Sequence, residues 1–392
     1  MTDVFILSGQ RTAIGDYGKS LKDVPPTKLG EIAIRAALAK SGVAAAEIQA
    51  VVMGNVIHTE PRDTYLSRVA AVEAGIPFET PALTVNRLCG SGLQAIVSAA
   101  QSILLGDADL AIAGGAESMS RGGYLLPSAR WGARLGDTKL IDMVVGTLND
   151  PFGGGHMGVT AENIAARYHI SREMQDEFSV ESHRRAAAAI AAGVFKEQIT
   201  PVELPSRKGI TVFDTDEHVR AETSLQSLSA LKAAFKKEGT VTAGNASSLN
   251  DGAAALVLAS GAEVARRGAK PLARLVAYGH AGVDPQVMGL GPIPASKAAL
   301  KKAGLSIADI DVIESNEAFA AQACAVAAEL GFDPAKVNRN GGAVALGHPV
   351  GASGAIIAIK AIYELQRTGG RYALVTLCIG GGQGIAAIFE RV

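Results

Sequence analysis

One order of elements occurs twice in this chain, and it constrains the fold more than any other feature. Val85-Asn86-Arg87 closes a short apolar strand and enters a glycine-containing turn at Leu88–Gly92. An apolar helix over Leu93–Leu105 follows, then a strand that ends in Gly114-Gly115. Far downstream, Val337-Asn338-Arg339 precedes Gly341-Gly342, a second turn, a helix over Ala355–Arg367 and a strand from Tyr372 to Leu377 that runs into Gly380-Gly381-Gly382. The three shared letters could be chance. The matched order of strand, turn, helix and strand points to two copies of one unit.

The flanking pattern fits such a duplication. Val4–Leu7, Val51–Met53, Arg274–Val276 and Val312–Glu314 read as strands; Leu29–Lys40, Leu66–Ala74, Pro294–Ala303 and Phe319–Leu330 read as helices. This alternation predicts an α/β protein with a parallel sheet covered on both faces. It lapses between Ser118 and about Asn250. That stretch holds the single Trp131, a glycine run at Gly153–Gly155 and a long helix from Ser171 as N-cap to Gly193 as C-cap, and it reads as an inserted lid.

With 392 residues, two to three domains are expected. The 45 glycines imply tight turns or places where backbone approaches a ligand closely. The 37 basic and 38 acidic residues leave no basic excess for nucleic acid. Three cysteines, Cys89, Cys324 and Cys378, do not make a disulfide scaffold. Met1-Thr2-Asp3 and the residues after it lack the long apolar core of a secretory signal, and Phe389–Val392 spells no organelle address. Leu88–Gly106 and Asn340–Ile359 are long and uncharged. Ser91, Gln94, Ser98, Gln101 and Ser102 interrupt the first, and glycines, His348 and Pro349 the second, so both read as buried core and not as membrane spans. A cytoplasmic protein is the expectation.

Ligands of open α/β sheets bind beyond the carboxyl ends of strands, and four segments there carry unusual residues. In Leu88-Cys89-Gly90-Ser91-Gly92, a thiol sits where a helix begins. The helix dipole would lower its pKa and favour the thiolate, although a buried structural cysteine would look the same. In Asn340–Pro349, His348 sits in a rigid glycine-flanked loop, suited to proton transfer or to holding an oxyanion, or simply hydrogen-bonded. In Thr376–Gly384, Cys378 ends a buried strand and meets glycines whose N–H groups could form an oxyanion hole; a redox or structural cysteine is an equal alternative. Asn316, in Asn316-Glu317-Ala318-Phe319, is either a helix N-cap or a group that orients a water or carbonyl. Gly153–Gly158 matches G-x-G-x-x-G but follows Asn149-Asp150-Pro151-Phe152 and no strand, so dinucleotide binding is rejected. The sequence has no P-loop, C-x-x-C or H-E-x-x-H, and no metal is expected. Cys324, among alanines, reads as packing.

Together and in this order, these segments resemble the thiolase family over essentially the whole chain. Arg11–Gly15, Gly114–Ser120, His156-Met157-Gly158 with Thr160–Asn163, and Gly244–Ser247 with Asn250-Asp251-Gly252 add to the likeness. The likeness is strongest to bacterial biosynthetic β-ketothiolases of the acetyl-CoA acetyltransferase type. It implies duplicated βαβαβαββ halves in a five-layered α/β/α/β/α arrangement with an inserted lid. The amino-terminal half would be 1–118 plus 250–270, the insert 119–249 and the carboxyl-terminal half 271–392. It also implies acyl-CoA and CoA as partners, no resident cofactor, and reversible condensation and thiolysis of acyl-CoA.

By that resemblance Cys89 carries the acyl group, Cys378 moves the α-proton of the second acyl-CoA, and His348 activates Cys89. Asn316 positions a water, and the amides of Cys89 and Gly380 form an oxyanion hole. Arg220, Ser227 and Ser247 would face CoA, with Leu148, His156, Met157, Phe235, Ala243, Met288, Ala318 and Phe319 around the pantetheine and acyl groups. Gly122–Met143 matches the family's tetramerisation loop, which implies a homotetramer, a dimer of dimers. One departure is Ser315, where similar sequences often carry alanine. The competing expectations are a degradative 3-ketoacyl-CoA thiolase, a ketoacyl carrier-protein synthase, which Cys378 disfavours, and a non-catalytic lipid carrier, which the two retained cysteines disfavour.

Overall fold

The computed structural model describes residues 3–207 and 209–392, so Met1 and Thr2, at the leader position read above, lie outside the described residues. The amino-terminal half supplies strands β1 (Val4–Thr12), β2 (Ala50–Gly54), β3 (Ala82–Val85), β4 (Leu110–Ser118) and β5 (Asn250–Ser260). The carboxyl-terminal half supplies β6 (Ala273–Gly282), β7 (Val312–Ser315), β8 (Tyr372–Ile379) and β9 (Gln383–Arg391). They hydrogen-bond in the order β7-β8-β9-β6-β1-β5-β4-β2-β3.

The duplication is explicit in this order. In the first half β2 runs parallel to β4, β4 antiparallel to β5, and β5 antiparallel to β1. In the second, β7 runs parallel to β8, β8 antiparallel to β9, and β9 antiparallel to β6. Even the outer strand β3 has a counterpart in the parallel bridge between Ile313 and Val337. The halves join edge to edge where Phe5 faces Arg274 and Ile6 faces Ala273. The sheet is therefore mixed and not parallel as the alternation suggested. The βαβ units do give parallel pairs, but the long return strands β5 and β9 lie antiparallel beside them. β9 escaped the sequence reading because Gly384, Ala386 and Ala387 dilute its strand signal.

Helices α1 (Pro26–Ser41) and α2 (Leu66–Glu73) cover one face of the first half, meeting Ile112 and Val257. Helices α3 (Ser91–Leu105) and α8 (Val350–Thr368) share a core with strands of both halves, where Leu93, Ile96, Ala355 and Ile359 meet Ala113, Leu256, Val375 and Leu377. Helices α6 (Pro292–Ala303) and α7 (Ala320–Leu330) cover the second half's outer face against Leu374 and Ile388. The layers run helix, sheet, helix, sheet, helix. Ile112 and Ala113 point into different cores, as do Leu374 and Val375, which is the period-2 alternation of strands buried on both faces. The apolar stretch Leu88–Leu105 thus belongs largely to the central layer.

The central helices lie unusually close, and glycine permits it. A Cβ on Gly354 would stand 2.3 Å from the Leu93 nitrogen, and one on Gly92 2.6 Å from the Ala355 nitrogen. Between β4 and β5, the segment 119–249 carries α4 (Met157–Tyr168) and α5 (Arg172–Ala191), with Ser171 capping α5 through the Met174 amide as expected. The hairpin Val202–Ser206 with Gly209–Phe213 follows.

Candidate active site

Cys89 precedes α3, and His348 precedes α8. Because these two helices approach at their amino-terminal turns, the residues ahead of them meet at one place. A cavity of about 510 Å³ opens there, lined by Cys89, His348 and Gly380 and walled mainly by apolar side chains. The chain reaches Cys89 through Leu88, which takes the left-handed conformation at φ 46°. Ser91 braces the turn: its hydroxyl accepts from the Arg87 amide at 2.8 Å and donates to the Leu88 carbonyl at 2.7 Å. The backbone N–H groups of Gly380 and Cys89 are directed at the thiol.

Burial outweighs those two donors and pushes the Cys89 thiol up to about 11, with the Glu117 carboxyl adding to the rise. The expectation that the helix terminus would lower it is therefore corrected. Desolvation of a thiolate inside the protein dominates, and α3 begins only at Ser91. Cys378, fully buried, is raised further, by burial first and by the neighbouring Cys89 second. It does not line the cavity. It packs with Met157, Ala246, Met288, Ala318 and Phe319, residues that themselves form the cavity wall.

His348 is held on three sides. Its backbone N–H donates to Asn250 Oδ1 at 2.7 Å, and its Nε2 lies 3.5 Å from Asn316 Nδ2. Its Nδ1 lies 2.6 Å from Ser353 Oγ. The Ser353 hydroxyl donates to the Pro349 carbonyl at 2.9 Å, so it accepts from His348, and the network assigns the proton to Nδ1. Nε2 is left unprotonated, its lone pair engaged only weakly by the Asn316 amide at 3.5 Å. Burial lowers the imidazole to about 4, so it is neutral in ordinary conditions.

Glu117, at the end of β4, ties the site together. Its carboxylate accepts from Asn55 Nδ2 and from the amides of Val56, Ile57 and Gly351, the last at 2.8 Å, which pins the start of α8. Burial pushes this carboxyl up to about 8.

Among the residues expected around a thioester ligand, Leu148, His156, Met157, Arg220, Phe235, Ala243, Ser247, Met288, Ala318 and Phe319 line the same cavity. His156 stacks on Phe235 with ring centroids 4.7 Å apart, and Phe235 meets Phe319 edge-on. Ser227 lies outside it, in an adjoining groove that shares Arg220, His218 and Ala243 with the cavity. Asn316 faces a separate, small cavity behind His348. Cys324 packs half-buried against the outer core of the second half. Sequence reasoning missed Asp16, His218 and Val350 in the cavity lining, and Asn250 and Ser353 behind His348. The sequence marks Asn250 only within Asn250-Asp251-Gly252. Among the described residues no cluster of metal-ligating side chains occurs.

Two thiols and a neutral histidine, gathered at the meeting point of duplicated halves, define an acyl-transferring thiol enzyme. The family models for the thiolase amino-terminal and carboxyl-terminal domains match residues 4–262 and 269–391, and the chain belongs to the thiolase family. It is 65% identical to the β-ketothiolase BktB of Cupriavidus necator, over 100% of this chain and 99% of that protein. It is 51% identical to the acetyl-CoA acetyltransferase of the same organism, over the full length of both. The crystal structure of human mitochondrial 3-ketoacyl-CoA thiolase in complex with CoA superposes with a TM-score of 0.97 at 46% identity, covering 100% of this chain and 98% of that one.

Proposed function

We propose that this protein is an acyl-CoA C-acyltransferase. It joins two acetyl-CoA into acetoacetyl-CoA and CoA, also handles longer 3-ketoacyl-CoA, and runs equally in the thiolytic direction. The observation that carries this reading is the shared cavity wall of Cys89, His348 and the Gly380 amide, with Cys378 packed directly behind it. Full-length identity to a β-ketothiolase and to acetyl-CoA acetyltransferases favours the synthetic enzyme over a degradative one.

With a neutral thiol and a neutral imidazole, acylation begins by general-base catalysis and not from a preformed ion pair. His348 Nε2 takes the Cys89 proton as the sulfur attacks the thioester carbonyl. The Cys89 and Gly380 amides stabilise the developing oxyanion, each contributing roughly 3–4 kcal/mol. The departing CoA sulfur takes the proton, leaving an acyl-cysteine. Cys378 passes its proton to His348 Nε2, and the resulting thiolate, made strongly basic by burial, takes an α-proton from a second acyl-CoA. The His348 Nε2–H so formed and a water held by Asn316 stabilise the enolate, whose carbon attacks the acyl-cysteine carbonyl; the C–S bond breaks, and Cys89 leaves as a thiolate that takes back the Nε2 proton. The apolar walls suit a pantetheine arm, and Arg220 with Ser227 and Ser247 suits the nucleotide end.

No resident cofactor takes part. A cytoplasmic setting keeps the two thiols reduced. A homotetramer is supported by the strongly exposed Tyr124, Trp131, Leu135 and Leu140 in the 122–143 segment.

Mass spectrometry after mixing with acetyl-CoA tests the reading: one acetyl group is expected on the Cys89 peptide, and acetylation elsewhere or nowhere refutes it. Cys378→Ala should still acylate but not condense.

A further inference from the structure

Behind His348, away from the substrate cavity and sharing no lining residue with it, lies a second, very small cavity. Asn316, Ser353 and Lys360 are its polar residues, and its volume of about 10 Å³ is near the room one water needs. Two groups on its wall have unfilled hydrogen-bonding capacity. Asn316 is buried and its Oδ1 has no partner. Lys360 is equally buried; its ammonium donates to Glu314 Oε2 at 2.8 Å and to the Gly341 carbonyl at 2.7 Å. An ammonium has three N–H donors, so one remains. A buried acceptor without a donor and a buried charged donor without an acceptor are both costly, and they line the same cavity.

We infer that this cavity is a built site for one water, which accepts from Lys360 Nζ and donates to Asn316 Oδ1, and that Lys360 is thereby a positioning residue for the reaction. The bridge fixes which way the Asn316 amide points. With Oδ1 held toward Lys360, Nδ2 is directed to His348 Nε2, on the side where the thioester oxygen would sit. The Glu314–Lys360 pair anchors the arrangement, because it fixes the ammonium against β7 at Glu314, two residues before Asn316. This water differs from the one that Asn316 would present to substrate, since it lies on the opposite side of the amide.

The inference rests on the role of Asn316 given above, and the tests separate the two. Diffraction from wild-type crystals at about atomic resolution should place a water within about 3 Å of both Lys360 Nζ and Asn316 Oδ1; a dry cavity overturns the inference. The Glu314→Leu/Lys360→Met double variant removes both charges and so avoids an unpaired buried carboxylate. It should lower kcat for condensation roughly tenfold, leave the rate of Cys89 acetylation and KM within about twofold, and add little further loss in an Asn316→Ala background. Condensation at the wild-type rate, or additive losses, overturns it. If the double variant does not fold, the wild-type diffraction result decides. Failure of Cys89 to acetylate in the wild type would instead sink the acyl-transfer reading and leave the water site to stand or fall on diffraction.

Discussion

Replacing Ser353 with alanine should disable the base without touching the substrate. Ser353 Oγ is the acceptor for the proton on His348 Nδ1, at 2.6 Å in a fully enclosed position. Without it, a buried N–H is left unpaired, which costs about 1–3 kcal/mol. The imidazole avoids that penalty by moving its proton to Nε2, which is the atom that must be empty to take the Cys89 proton. At about 1.4 kcal/mol per factor of ten, the competent tautomer falls roughly 5- to 150-fold. Single-turnover acetylation, followed by rapid quench and intact-protein mass, should slow by that factor, with KM for acetyl-CoA changed little. Ser353→Thr, which keeps a hydroxyl at the same place, should recover most of the rate. A folded Ser353→Ala enzyme that acetylates at the wild-type rate would refute the tautomer assignment. Equal losses in Ala and Thr would show that packing and not the hydrogen bond matters.

Four further outcomes follow from the same geometry. Because burial lowers His348 from 6.5 to about 4, the pH profile of Cys89 acetylation should have no acid limb near 6.5, and only fall toward pH 4. The same shift means that the neutral ring stabilises the fold above pH 6.5 and that this contribution is lost as pH falls through about 4, so denaturant midpoints should drop across that window. Limited alkylation with iodoacetamide should mark Cys89, which lines the cavity, well before the fully buried Cys378; peptide mapping reads the order. Gly354→Ala should destabilise by about 1–3 kcal/mol or more by forcing α3 and α8 apart, whereas Gly146→Ala, with nothing within 4 Å of the added carbon, should leave the melting temperature nearly unchanged.

Where the chain leaves regular structure, its chemistry was legible. Cys89 and His348 stand out because each sits in a glycine-containing loop just before a helix, and the repeat of that arrangement already suggests that they meet. What stayed hidden depends on distant residues. Asn250 holds His348 from 98 positions away, and Glu117 gathers donors from the 55–57 loop and from Gly351. Neither partner is implied by local pattern. The direction of the Cys89 shift was misread for a related reason. The helix terminus is a local feature visible in sequence, while desolvation is set by everything packed around the sulfur. The mixed sheet was misjudged because βαβ alternation marks parallel pairs and says nothing of where β5 and β9 return.

The duplicated architecture resolves a conflict in the chemistry. A nucleophilic thiol benefits from solvent-like polarity, but a carbanion survives only where water is kept out. Burial that excludes water also pushes both thiols up, so neither ionises unaided. The structure meets this with a histidine lowered by the same burial. It stays unprotonated, can accept a proton at the moment of attack, and is aimed by Ser353 and Asn250 so that no charge exists until substrate arrives. The two halves must therefore pack tightly enough to dry the site and still bring three reactive side chains together. Close approach of α3 and α8 at Gly92 and Gly354 does both at once.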